Sequence, residues 1–189
     1  MKVKDIIKDV AVMVGRNEII EYFNYNVMET DYILETVNTM TYLVNLVINE
    51  LACTYIPLEK EETIKLSNGQ IEYSKFSEKV VKIIEVRDFS KKALDFEDNL
   101  EYLSLGSKIG DGQVIVKYNY MPANYGIEDT IGYQEKDISS REIAYGVASE
   151  YCINQGLFDL AVIFHERYVQ SISKHFFPKN NKIRNRSWY

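Results

Sequence analysis

Apolar residues recur every three to four positions through the first third of the chain, a spacing typical of amphipathic helices. The first such run covers residues 2–14 and stops at Gly15, and Asn17 stands where it can cap a short second helix. The strongest run covers residues 30–55, where apolar side chains occupy more than one helix face. A helix with this pattern is expected to pack against neighbours on more than one side.

Between Pro57 and Pro122 the hydrophobic period changes to two, which predicts β-strands. The Asn68-Gly69 pair predicts a tight turn that joins its flanking runs as a hairpin. The expected strands are residues 63–66, 71–73, 80–86 and 113–120, with shorter ones at 94–96 and 102–105. We therefore expect a compact β module of four to six strands.

Helical spacing returns after Ser139, which has capping-box spacing to Glu142 and opens a helix expected to end at residue 154. Gly156 is placed to end that helix, and residues 157–177 predict a final one. Small residues between 144 and 149 allow neighbouring helices to approach closely.

These patterns predict an α+β fold, an antiparallel helical bundle with an inserted small antiparallel β module. Residues 1–56 and 123–177 are expected to form one discontinuous helical core, and residues 57–122 the inserted module. Residues 178–189 follow a proline stop and are expected to form an extended basic carboxy-terminal tail.

Composition excludes several classes of protein. The 189 residues are 46% apolar and 26% charged, which excludes a disordered chain and a disulfide scaffold. No apolar run approaches the length of a membrane span, and the start lacks a signal-peptide block, so we expect a cytosolic or assembly-stage protein. Cys53 and Cys152 lie within apolar helical patterns and are expected to be buried in the protein interior. A reducing compartment is the expected context of the protein.

The sequence contains no motif that indicates catalysis. The sequence has no CxxC, HExxH, GxSxG, phosphate-binding loop or calcium loop. His165 and His175 are ten positions apart, which does not match the spacing of a helical metal pair. We therefore expect no catalytic residues, no metal site and no cofactor.

Charge and aromatic residues favour contact with other macromolecules. The net charge is −6, yet the last twelve residues hold four basic side chains and no acidic one. Fifteen tyrosines give an unusual number of rings with a polar tip, which suit protein–protein surfaces. A basic tail on an acidic body favours an acidic protein groove or nucleic acid as its ligand.

The carboxy-terminal half resembles a known family. The run REIAYGVASEYC at 141–152, then GLFDLA at 156–161 and Tyr168, is similar to head-to-tail connector (adaptor) proteins of tailed bacteriophages. The helix around residues 44–52, followed by 55–58 and a β excursion, fits the same pattern. The resemblance covers about two thirds of the chain, and the β module is larger than minimal members carry.

The resemblance implies a non-enzymatic virion protein of the head–tail neck, made in the host cytoplasm. Its implied partners are the portal protein, copies of itself in a twelve-fold ring beneath the portal, and downstream neck or tail proteins. DNA would pass through the lumen without sequence-specific binding, and no membrane would be contacted. The tail is expected to dock on the portal through Lys179, Lys182, Ile183, Arg184, Arg186, Trp188 and Tyr189.

One alternative stays open on the sequence. A small enzyme or a glycan-binding protein with its site on the β module fits the same strand pattern. Catalytic carboxylates can pair in space without any sequence motif, and the chain has 28 acidic residues from which to draw such a pair.

Overall fold

The computed structural model describes residues 1–25, 30–106, 110–134 and 137–176. Within these residues the chain forms five α-helices and two small antiparallel sheets, consistent with the expected α+β class. The helices are α1 (Val3–Val14), α2 (Asn17–Tyr25), α3 (Asp31–Glu50), α4 (Ser140–Asn154) and α5 (Phe158–Phe176). The strands are β1 (Leu58–Leu66), β2 (Gln70–Glu72), β3 (Lys79–Arg87), β4 (Glu97–Asp98), β5 (Tyr102–Ser104) and β6 (Gly112–Met121).

Helix ends lie where local chemistry predicts them. Gly15 follows α1 with a φ of 73°, a left-handed conformation that suits glycine and ends the helix. The hydroxyl of Thr30 accepts a hydrogen bond from the N–H of Ile33 and so caps α3. Ser139 and Glu142 form the expected reciprocal capping box at the start of α4.

The helix expected over residues 30–55 is shorter than predicted. Helix α3 ends at Glu50 and continues as a π-helical turn, Leu51–Tyr55, closed by a bond of 2.7 Å from the N–H of Ile56 to the carbonyl of Leu51. Burial of Cys53 was a wrong prediction, since this cysteine is exposed, whereas Cys152 is buried as predicted. Cys53 is seven residues beyond Leu46, which is 43% exposed, so both lie on an outward face of the helix.

The strands form two separate three-stranded sheets, in the orders β1-β6-β3 and β2-β5-β4. The turn at Asn68-Gly69 forms, with φ values of 54° and 72°, and Ser67 bridges Gln70. The hairpin prediction is nevertheless wrong about pairing, because β1 pairs along its whole length with β6 and β2 pairs with β5. A tight turn is determined by its own few residues. The pairing of a strand depends instead on which other strand lets it bury its apolar face.

The prediction of a short strand at 94–96 is also wrong. Beside an isolated bridge from Ala93 to Arg87, the N–H of Leu94 donates to the carbonyl of Val86 at 2.9 Å, but the next residues paired in a strand are Glu97 and Asp98 in β4. Such short runs carry little periodicity, so their bounds are weakly predicted by sequence.

Buried apolar side chains form two clusters, one among the helices and one between the sheets. In the sheet cluster the Tyr118 ring is fully buried. It packs edge-on against the Phe76 ring, with 4.9 Å between the ring centres. Tyr120 packs against both clusters, so the sheet β1-β6-β3 reaches the helices through this residue.

The segment that returns from β6 to the helices is bonded to the start of the chain. The N–H of Val3 donates to the carbonyl of Asp129 at 3.1 Å, and that of Lys4 donates to Ile127 at 3.0 Å. These are amides of the first turn of α1, which lack partners inside the helix. The return segment therefore caps α1 with its own backbone.

A buried asparagine fastens the same return segment to α3. The side-chain amide of Asn45 donates to the carbonyl of Tyr125 at 3.0 Å, and its oxygen accepts the Tyr125 N–H at 2.7 Å. Asn45 also donates to the carbonyl of Thr41 at 3.0 Å. One side chain thus satisfies both backbone groups of Tyr125.

Helices α3, α4 and α5 meet at Gly146. A Cβ at this position would lie 2.9 Å from the Tyr168 ring on α5 and 3.0 Å from a Val47 methyl on α3. Both neighbours are buried, so glycine is required here for close approach and not for backbone freedom.

Replacing Gly146 by alanine is expected to lower the free energy of unfolding by about 1–2 kcal/mol, because overpacking outweighs the better helix propensity of alanine. Equilibrium urea denaturation measures this change. Gly112→Ala is the matched control, since a Cβ there has open space. A Gly146→Ala protein more stable than wild type would show that Tyr168 and Val47 move aside at little cost.

Candidate partner-binding site

All seven residues expected to bind a partner, in the tail 178–189, lie outside the described residues. The structure therefore describes the helix that leads into the tail and the surfaces around it. Helix α5 is described to Phe176, two positions before Pro178.

The last turn of α5 is held to the first turn of α4. The ring nitrogen Nε2 of His175 lies 3.3 Å from a carboxylate oxygen of Glu142. Partial burial raises the pKa of Glu142, but hydrogen bonds from Ser139 and the contact with His175 outweigh burial and hold that pKa below its usual value. The charged Glu142 thus links the last turn of α5 to the capping box of α4.

The inner face of α5 packs on α3 and α4. Its buried apolar residues are Ala161, Phe164, Tyr168 and Ile172. The hydroxyl of Ser149 donates to the carbonyl of Ala161 at 3.0 Å, which fixes α5 against α4. The Tyr168 hydroxyl donates to the Glu50 carboxylate at 3.3 Å. Burial is the larger cause of the raised Tyr168 pKa, and the negative charge of Glu50 adds to it.

A second apolar face of α5 has no covering among the described residues. Phe158, Val162, His165 and Val169 are spaced i, i+4, i+7 and i+11, which puts them in one line along the helix. We call these four residues the α5 row. Phe158 is 65% exposed, Val162 58% and Val169 46%.

Charges flank the α5 row unequally. Asp159 and Glu166 each follow a row residue by one position and are seven residues apart, so they line one edge of the row together. Both are exposed. Arg167 faces elsewhere, since its guanidinium lies 5.8 Å from the ring centre of Tyr145 on α4. Apart from His165 the row is therefore apolar, and it has an acidic edge.

The corner between α4 and α5 also exposes apolar side chains. Ile153 at the end of α4 and Leu157 just before α5 are both exposed, with Gly156 between them at a φ of 73°. Several exposed apolar side chains in one short stretch of chain favour an interaction surface.

The β module contains a cleft of about 660 Å³ between the start of β3 and the turn that joins β4 to β5. Its lining residues are Tyr73, Lys79, Val80, Val81, Asp98, Asn99 and Leu100. The Tyr73 hydroxyl donates to the Asp98 carboxylate, and burial followed by this contact raises the Tyr73 pKa. Tyr73 is therefore neutral at physiological pH and donates a hydrogen bond to Asp98.

The described residues offer neither a metal site nor a membrane-spanning helix. No three His, Cys, Asp or Glu side chains there are grouped so that they could hold a metal ion. No helix in that part of the chain combines the length and apolar character that crossing a membrane requires.

Comparison with known proteins finds no match, either among protein-family models or among curated proteins.

Sequence reasoning missed the α5 row. The run from Leu157 to Val169 is apolar on several faces, and periodicity does not say which face a neighbouring helix covers. The signal that marks the row is its pair of acids, Asp159 and Glu166, since charges seven residues apart indicate the edge of an exposed face.

Proposed function

We propose that this chain is a structural virion protein, a head-to-tail adaptor that forms a ring beneath the portal of a tailed bacteriophage. In this proposal the helices form the bundle of the adaptor, residues 57–122 are its inserted β module, and the tail 178–189 docks on the portal. The protein performs no catalysis and is located at the head–tail neck of the virion.

The observation that carries the proposal is the form of the segment that resembles the adaptor family. Residues 141–161 make up α4, the Gly156 corner and the start of α5, with Gly146 at a close three-helix contact. Helix α5 then leads toward the basic tail and exposes the α5 row beside it. A helix pair that presents apolar surface next to a basic arm suits assembly with other proteins.

The proposed partners follow from the same surfaces. Copies of the chain would contact one another through apolar side chains, because like charges on an acidic protein repel at long range. Exposed Tyr42 and Leu46 on α3 offer a further apolar surface for such contacts. Ring size is taken as twelve-fold from the family resemblance, downstream neck or tail proteins lie below the ring, and DNA passes through its lumen.

The alternative function would use the cleft at Tyr73 and Asp98. A hydrogen-bonding carboxylate beside an aromatic ring and Lys79 suits a polar ligand such as a glycan. Glycan arrays with Asp98→Ala as the control variant test this directly, and binding lost in that variant would favour the alternative.

A chain that ends at Phe177 is expected to keep the helical content of the full chain and to lose binding to its cognate portal protein. The tail supplies four cations, which can pair with carboxylates, and two aromatic anchors, Trp188 and Tyr189. Binding is measured by surface plasmon resonance on immobilised portal, and copy number in the complex by native mass spectrometry.

A double variant, Arg184→Glu with Arg186→Glu, tests the charge contribution without shortening the chain, and Lys91→Glu on the exposed β3–β4 connection is its matched control. In the complex with a protein groove Trp188 is expected to be buried, whereas DNA as the ligand leaves Trp188 exposed in the complex. Full portal attachment by the truncated chain would contradict the proposed role of the tail.

A further inference from the structure

The α5 row is an apolar surface without a neighbour in the described part of the chain, and its helix leads directly into residues 177–189. Those residues hold Ile183, Trp188 and Tyr189 among four cations. Burial of apolar surface is favourable for the row and for these side chains alike. The segment best placed to cover the row is therefore the one attached to the end of α5.

The tail is long enough to reach every residue of the row. From Phe176 back to Phe158 the helix rises about 27 Å, at 1.5 Å per residue. Residues 178–189 span about 40 Å when extended, at roughly 3.3 Å per residue. With a few residues used to reverse direction, the remaining length would bring Trp188 to Phe158 and Val162. Pro178 cannot continue a helix and stands where that reversal is needed.

Charge favours the same arrangement. The row has an acidic edge, Asp159 and Glu166, and the tail carries four cations with no acidic side chain. Basic side chains of the tail would lie beside the exposed carboxylates of Asp159 and Glu166, while Ile183 and the aromatic rings would cover the row. A second copy of α5 would instead bring a second acidic edge to the surface.

We propose that in the free protein the tail 178–189 lies back along the α5 row of its own chain, with Trp188 against Phe158 and Val162. This intramolecular contact goes beyond the proposed portal contact and does not depend on it. The row is then the resting site of the tail.

Trp188 is the only tryptophan, so tryptophan fluorescence reports on the tail alone. The full-length chain, free of partners, is compared with a synthetic peptide of residues 178–189. Emission at shorter wavelength than the peptide and several-fold slower quenching by acrylamide are expected. Emission and quenching equal to those of the peptide would overturn the proposal.

Val162→Asp places a charge in the middle of the row and is expected to return quenching of Trp188 to the rate of the peptide. Val12→Asp is the matched control, because Val12 is an exposed valine on α1, and it should leave quenching unchanged. Far-UV circular dichroism checks that both variants keep the helical content of the wild type. Equal quenching in the two variants would refute the assignment of the row.

Glu166→Lys tests the acidic edge without touching the apolar row, and faster quenching is expected, with the difference from wild type reduced in high salt. Quenching unchanged by Glu166→Lys would remove the charge argument and with it the choice of the tail as occupant. A dilution series distinguishes the two ways of covering the row. Quenching independent of protein concentration supports contact within one chain, and quenching that rises on dilution contradicts it.

Discussion

Replacing Leu51 by alanine is expected to lower the free energy of unfolding by about 2–5 kcal/mol, the range for a buried leucine truncated to alanine. Leu51 is fully buried in the π-helical turn that follows α3. Its side chain belongs to the helical cluster, close to where the chain leaves the helices for β1. Truncation leaves a cavity in this apolar cluster, and guanidinium denaturation at equilibrium measures the resulting loss of stability.

Leu46→Ala is the matched control, because Leu46 lies five positions earlier, in α3, and is exposed. Its substitution is expected to change stability by no more than about 0.5 kcal/mol. Equal losses for the two alanine variants would mean that the outward face of α3 is covered in solution.

Asn45→Ala is expected to cost about 2–4 kcal/mol, because it leaves the backbone N–H and C=O of Tyr125 without their partners. The bond to Thr41 is lost as well, although that carbonyl keeps its place in the helix. Denaturation gives the free energy, and amide hydrogen exchange gives a local readout. The Tyr125 amide should exchange much faster in the variant.

Asn38→Ala removes an exposed asparagine from the same helix and controls for helix propensity. Its cost is expected to stay within about 0.5 kcal/mol. Retained protection of the Tyr125 amide in Asn45→Ala would show that another donor or acceptor takes over the contact.

The elements that sequence predicted well are those set by neighbours along the chain. Gly15 ends α1 and the Ser139–Glu142 box starts α4 because each depends on residues within one turn. The turn at Asn68-Gly69 belongs to the same group, since two residues with positive φ define it.

The elements that sequence predicted poorly depend on distant residues. Pairing of β1 with β6 joins segments about fifty positions apart, and nothing near β1 specifies that partner. The exposure of Leu46 and Cys53 has the same origin, because a helix that is apolar on several faces does not indicate which face stays uncovered.

The candidate site divides in the same way. The tail was found from composition, since four cations and no acid stand out in an acidic chain. The α5 row was not found, because its definition needs the buried residues Ala161, Phe164 and Tyr168 to show which face packs inward.

The backbone bonds between α1 and the return segment have a consequence for synthesis. Lys2 and Glu128, which also contact one another, are 126 positions apart. At roughly 5–20 residues per second, α1 leaves the ribosome on the order of ten seconds before the segment that caps it. During that interval the amides of its first turn are satisfied by water, so the closing of α1 is a late step in the folding of the nascent chain.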